Sequence, residues 1–138
     1  MQNQIKTKTR LAYIQFIFST FFSNGEILNE AEHFQNYFNK LSIPSIKKDQ
    51  ETIFDFNKNF FTKLSFSYFE FIKKNNVDDL IDPLINFDRK YKNWSFINKS
   101  IILAIFSEIE ISKKDKIKIL INDYFNISKS LITKKELG

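Results

Sequence analysis

Residues 97–109 read I-N-K-S-I-I-L-A-I-F-S-E-I, and this stretch constrains the fold more than any other. On a helix, Ile97, Ile101, Ile102, Leu103, Ala104, Ile105, Phe106 and Ile109 surround almost the whole cylinder. A helix that is apolar all round is central, with other elements packed around it. The chain has only 2 Gly and 2 Pro in 138 residues, far too few for a turn-rich all-β fold. The surrounding elements must therefore be helices, and the predicted class is all-α.

The period of 3.6 residues places those helices. The first runs over 4–22, with Leu11, Ile14, Phe18 and Phe21 on one face, and stops at Ser23-Asn24-Gly25. A second covers 26–41, with Ile27, Ala31, Phe34, Tyr37, Phe38 and Leu41 on its apolar side. Glu26, Glu30 and Glu32 crowd its first turns, where the helix dipole favours negative charge. Pro44 ends that unit, and 45–49 form a polar connector. Residues 50–74 predict one long helix or two, with a break near Ser65-Phe66-Ser67. Asn76 is placed to cap a short helix from Val77, and Pro83 forces a kink or a restart. The polar stretch 86–93 is the best boundary between an N-terminal half (about 1–88) and a C-terminal half (about 94–138) of a single domain. Trp94 introduces the helix over 96–109, and a last helix is expected over 115–131.

Lys6, Lys8 and Arg10 lead directly into the first helix, and Lys6 and Arg10, four apart, are expected to project together as an exposed cationic end. Such an end either holds an anionic polymer or is a solvated terminus. The net charge of +5 and pI near 9.3 permit an acidic partner without demanding one. The positive leader before an apolar run superficially resembles a secretory signal. Gln15 interrupts the run, however, and no small-x-small cleavage site follows. No stretch approaches the roughly 18 apolar residues of a membrane span, so no membrane association is expected.

The absence of Cys excludes disulfides, thiolate catalysis and most structural zinc sites, and it fits a cytoplasmic protein. His33, the only histidine, lies among Glu30, Glu32 and Phe34 and reads as a surface residue; no metal site is expected. No nucleophile elbow or phosphate-cradling glycine loop is present. The expectation is a non-enzyme without a cofactor.

Three stretches together resemble the NusB transcription antitermination factors. R-L-A-Y-I-Q-F-I-F at 10–18 is similar to the family's R-x-x-A-V-Q-A-L-Y opening helix. The helix at 97–109 is similar to I-D-R-A-I-L-R-L-A-x-Y-E-L, and I-L-I-N-D-Y-F-N-I-S-K-S-L at 119–131 looks like V-V-I-N-E-x-V-x-L-A-K-x-F. I-D-P-L-I at 81–85 and Trp94 fall where family members often carry I-D-x-L-I and Trp. Shared polar positions are Arg10, Gln15, Glu108, Asn122 and Lys129.

The resemblance implies a helical bundle of two small halves. It also implies an RNA-binding factor that engages boxA-type, single-stranded RNA of ribosomal RNA leaders with NusE, a small-subunit ribosomal protein, and acts indirectly on the RNA polymerase elongation complex. Some members dimerise, so monomer and homodimer both stay open. Two alternatives remain: a helical protein-interaction module without RNA binding, and a detached NusB-like domain of a ribosomal RNA methyltransferase.

The implied RNA-binding residues are Lys6, Lys8, Arg10, Tyr13, Gln15, Lys129, Lys134 and Lys135, with the lysines and Arg10 on phosphates and Gln15 on base edges. Tyr13 either stacks on a base or is partly buried, and Gln15 either reads RNA or faces a neighbouring helix. Phe18, Phe22 and Asn98 are implied at the protein-partner surface, although Phe18 fits a core equally well. Lys113, Lys114, Lys116 and Lys118 read as a solvated basic turn.

The chain departs from the family pattern at Leu103, where an Arg is usual, and at Asn98, where an acidic residue is frequent. Its leader is Lys-rich rather than Arg-rich. Family members also continue into a F-V-N-G-V-L helix, so the final family helix is expected to be missing from the chain, which stops at Gly138.

Overall fold

The computed structural model describes residues 3–22, 29–34, 56–84 and 90–137, with side chains described up to residue 131. The expected connector at 45–49 and most of the helix over 26–41 lie outside the described residues, although 29–34 are helical. The other helices are α1 (Asn3–Thr20), α2 (Lys58–Lys74), α3 (Val77–Ile81), α4 (Phe96–Ile111) and α5 (Ile117–Leu137). Short 3-10 turns at Asp82–Leu84, Tyr91–Asn93 and Lys114–Lys116 connect them, and no strand occurs among the described residues. The fold is all-α, as expected of a NusB-like bundle. No helix among the described residues is long and apolar enough to cross a membrane.

Local chemistry explains where three of the helices start. Asn57 starts α2 by accepting the Phe60 amide at 2.8 Å, and Asn76 starts α3 by accepting from Asp79 at 3.2 Å. Ser95 starts α4 by accepting from Asn98 at 3.3 Å. These side chains satisfy amides that the first helical turn leaves without partners. Pro83 falls inside the 3-10 turn that follows α3, where a change of helical path was expected.

The α2 helix runs unbroken through Ser65-Phe66-Ser67, which selects the single-helix alternative. The serine hydroxyls find carbonyl partners that make them compatible with a buried helix face. Ser65 donates to Phe61 O at 2.9 Å within α2, and Ser67 donates across to Ser107 O of α4 at 2.6 Å. Ser67 thus lies where α2 meets α4.

The core has two central helices rather than one. α4 packs against α1, α2 and α5, while α1 packs against α4, α2 and α5. With three neighbours, α1 buries a broad face of Thr9, Arg10, Ala12, Tyr13, Ile14, Phe16 and Ile17. That face is rotated from the expected stripe: Ile14 is buried, Leu11 and Phe21 are half-buried, and Phe18 is 37% exposed. On α4, Ile101, Leu103 and Ala104 are buried, as are the polar Ser100, Ser107 and Glu108. Phe16 packs edge-on against Phe34, Phe61 and Tyr68, joining α1, the helical residues 29–34 and α2. Each large apolar side chain removed from water in this way contributes about 1.5–3 kcal/mol.

Candidate nucleic-acid interface

The site is built on the seam where α1 crosses α4 and α5, and its anchor is Arg10. This side chain is buried at 7% exposure, inside the three-helix junction rather than on the exposed cationic end expected of it. Arg10 Nε lies 3.0 Å from Glu108 Oε1, and Nη2 lies 2.6 Å from Oε2, which gives a two-pronged pair with α4. Nη1 reaches Asp123 Oδ2 of α5 at 2.7 Å. The guanidinium also sits 5.6 Å from the ring centroids of Phe60 and Tyr124. The planar fork suits this site because it meets both carboxylates and stacks between rings, which an ammonium does not do. Burial works to lower the Arg10 pKa, but hydrogen bonds and charge from Glu108, then Asp123, outweigh it and hold the group above its ordinary range.

The carboxylates are held from other sides as well. Tyr124 donates its hydroxyl to Glu108 Oε1 at 2.7 Å. Thr7 Oγ1 lies 2.9 and 3.0 Å from the two Asp123 oxygens, making a second α1–α5 link one turn before Arg10. A buried ion that lacks such partners is strongly destabilising, so the network is a structural unit. Its sequence signal was Glu108, a carboxylate on a largely apolar helix, which must find a cation if buried.

Tyr13 is also interior, with none of its surface exposed, so no ring face is open for stacking. Its hydroxyl donates to Leu64 O at 2.8 Å and lies 2.5 Å from Ser107 Oγ. Burial pushes its phenol well above the ordinary value of 10.0. The partly buried alternative is exceeded, because Tyr13 is wholly enclosed and its hydroxyl bridges α2 and α4.

The remaining residues divide between two adjoining clefts. Lys8 and Gln15 line a groove of about 430 Å³ between α1 and α5, together with Leu11, Asn126, Ser130 and Leu131. Gln15 is exposed. Lys6 instead lines a cleft of about 400 Å³ with Lys113, Lys116 and Asn122. Lys129 is exposed, its Nζ 4.7 Å from the Phe125 ring centroid, and it lines neither cleft. Lys134 and Lys135 belong to α5, but their side chains lie outside those described.

At the far end of α1, Phe18 and Phe22 are exposed with centroids 5.2 Å apart. Phe22 meets Phe96 edge-on at 5.2 Å, and Phe21 stacks on Phe96 at 5.2 Å. Asn98 is exposed on the first turn of the same helix as Phe96. The expected partner residues thus share one end of the molecule with Phe96, which the sequence reading had passed over. His33 is exposed, and no cluster of potential metal ligands occurs among the described residues.

The chain is similar to the transcription antitermination protein NusB of Rickettsia massiliae (strain Mtu5), at 22% identity over 144 residues. The match covers 99% of this chain and 87% of the relative. The chain resembles a NusB protein at low identity over nearly its full length. No protein-family model matches it, and no solved structure does. The relationship is distant, and it supports membership of a transcription antitermination family. In this chain, Arg10 and Glu108, both positions of the sequence resemblance, form one ion pair.

Proposed function

We propose that this chain is a transcription antitermination factor that binds boxA-type single-stranded RNA together with NusE. The observation that carries the reading is the α1–α5 groove, which brings Lys8 and Gln15 together in a chain related over nearly its full length to NusB. Lysine ammoniums track phosphates, and an exposed carboxamide offers both a donor and an acceptor to base edges. Lys6, Lys129, Lys134 and Lys135 add cations along the same helices. Arg10 and Tyr13 contribute from inside, holding α1 in place instead of touching RNA. The function needs no catalytic step, metal or cofactor.

NusE is assigned to the aromatic end, where Phe18, Phe22 and Phe96 surround the start of α4 beside Asn98. Exposed aromatic clusters of this kind commonly carry protein contacts. The same patch favours the second reading, a protein-interaction module without RNA binding.

Binding of boxA-type and scrambled RNA, each with and without NusE, separates the readings. The proposal expects tighter boxA-type binding when NusE is present, and by linkage an equal gain in NusE affinity when RNA is present. Gln15→Ala is expected to narrow the gap between the two RNAs, and Lys8→Gln to weaken both alike. Failure to bind either RNA under any condition would leave only the interaction module.

A further inference from the structure

The cleft holding Lys6 is walled by residues that the chain supplies from distant positions. α1 contributes Asn3, Lys6 and Thr7; the segment after α4 contributes Ser112, Lys113 and Lys116; α5 contributes Asn122 and Asn126. Lys113 and Lys116 are exposed, Lys6 is half-buried, and none of the three pairs with a carboxylate among the described residues. The carboxylates at the cleft floor are Glu108 and Asp123, both already held by Arg10. What the opening presents is therefore ammonium and carboxamide, with an exposed Ile119 at its edge. Its volume of about 400 Å³ falls within the range of small-molecule sites.

This cleft and the Lys8–Gln15 groove share Thr7, Asp123 and Asn126 in their walls. The Thr7–Asp123 hydrogen bond lies in that shared wall, as does Asn126. A polymer lying in one is led across that bridge into the other.

Resting on the RNA reading above, we infer that the Lys6–Lys113–Lys116 cleft is a second RNA subsite that receives a nucleotide and its flanking phosphodiesters as the strand crosses the α1–α5 seam. The lysines neutralise phosphate, and Asn122 and Asn126 face the base edge with both donors and acceptors. Because Glu108 and Asp123 already occupy the fork of Arg10 in its wall, the subsite adds affinity and salt dependence more than sequence preference.

The test compares two double substitutions in the full chain, with NusE present and a boxA-type RNA as probe. K113Q/K116Q removes two charges from the cleft; K114Q/K118Q removes two exposed charges that do not line it. Each single-strand phosphate contact contributes about 0.7 to the slope of log affinity against log salt. K113Q/K116Q should lower that slope by about 1.4 and weaken binding about 10- to 25-fold at 0.1 M salt. The ratio of boxA-type to scrambled affinity should stay unchanged, and K114Q/K118Q should lose less than about 3-fold. Equal losses in the two variants would reduce the effect to net charge and overturn the subsite. No loss in K113Q/K116Q, while Lys8→Gln still weakens binding, would overturn the subsite and leave the RNA reading standing. Failure of the unaltered chain to bind RNA would overturn both.

Discussion

Arg10 and Glu108 stand 98 positions apart in sequence and meet as a two-pronged ion pair in the interior, with Nη2 to Oε2 at 2.6 Å. The pair fixes how α1 lies on α4, and Asp123 extends the same fixation to α5. Arg10→Ala strands the Glu108 carboxylate and should cost about 3–5 kcal/mol in urea unfolding. Arg10→Lys should recover only part of this, since an ammonium does not reproduce the fork. Replacing both partners by apolar residues (Arg10→Met with Glu108→Leu) should recover more than Arg10→Lys does. A loss below about 1 kcal/mol for Arg10→Ala would show that the carboxylates are hydrated rather than buried.

Alkaline pH should unfold the chain through its buried phenols. Burial raises Tyr13 and Tyr124 well above their ordinary 10.0, so the folded state keeps protons that the unfolded state releases. Their stabilising contribution is complete below about pH 10 and declines above it, each phenol removing up to about 1.4 kcal/mol per pH unit. Phenolate absorbance from these residues should appear together with the loss of helical circular dichroism. Phenolate signal from both while the helix content stays intact would contradict their burial.

The α2–α4 contact should tolerate neither enlargement nor loss of its hydroxyl. Ser67 is buried and donates to Ser107 O at 2.6 Å. Ser67→Ala should cost about 1 kcal/mol for the hydrogen bond, and Ser67→Leu about 1–3 kcal/mol from overpacking. A melting temperature that rises in Ser67→Leu would mean that the helices have room to spare.

Phe22 is 64% exposed, so its removal should not unfold the protein. Phe22→Ser should leave stability within about 0.5 kcal/mol and weaken NusE binding about 10-fold, without altering salt dependence toward RNA. Unchanged NusE affinity would place the partner elsewhere.

The helix class, the cap at Asn76, the change of helical path at Pro83 and the interior position of α4 were legible because each depends on a local pattern. Ser65 and Ser67 left one helix or two open because serine is a modest helix former in isolation, while here Ser65 bonds within its own helix and Ser67 serves a helix–helix contact. Arg10 misled for a related reason. A cation in a basic leader looks solvated until the carboxylates of Glu108 and Asp123 arrive from far along the chain. Lys113 and Lys116 looked like an ordinary basic turn, and only the fold brings Lys6 beside them. Gln15 was left open between RNA and a neighbouring helix, and its exposure in a groove is a property of the α1–α5 seam alone.

Because α1 buries its main face against α4, it leaves the ribosome without that partner until residues nearly a hundred positions later have been made. At roughly 5–20 residues per second, the interval between Arg10 and Glu108 is on the order of 5–20 s. During that time Tyr13, Phe16 and Ile17 are presented to whatever binds nascent apolar helices. A ribosome-stalled chain ending before Phe96 should therefore be cleaved readily within α1 and recruit holdase chaperones. One extended past Asp123 should resist cleavage there.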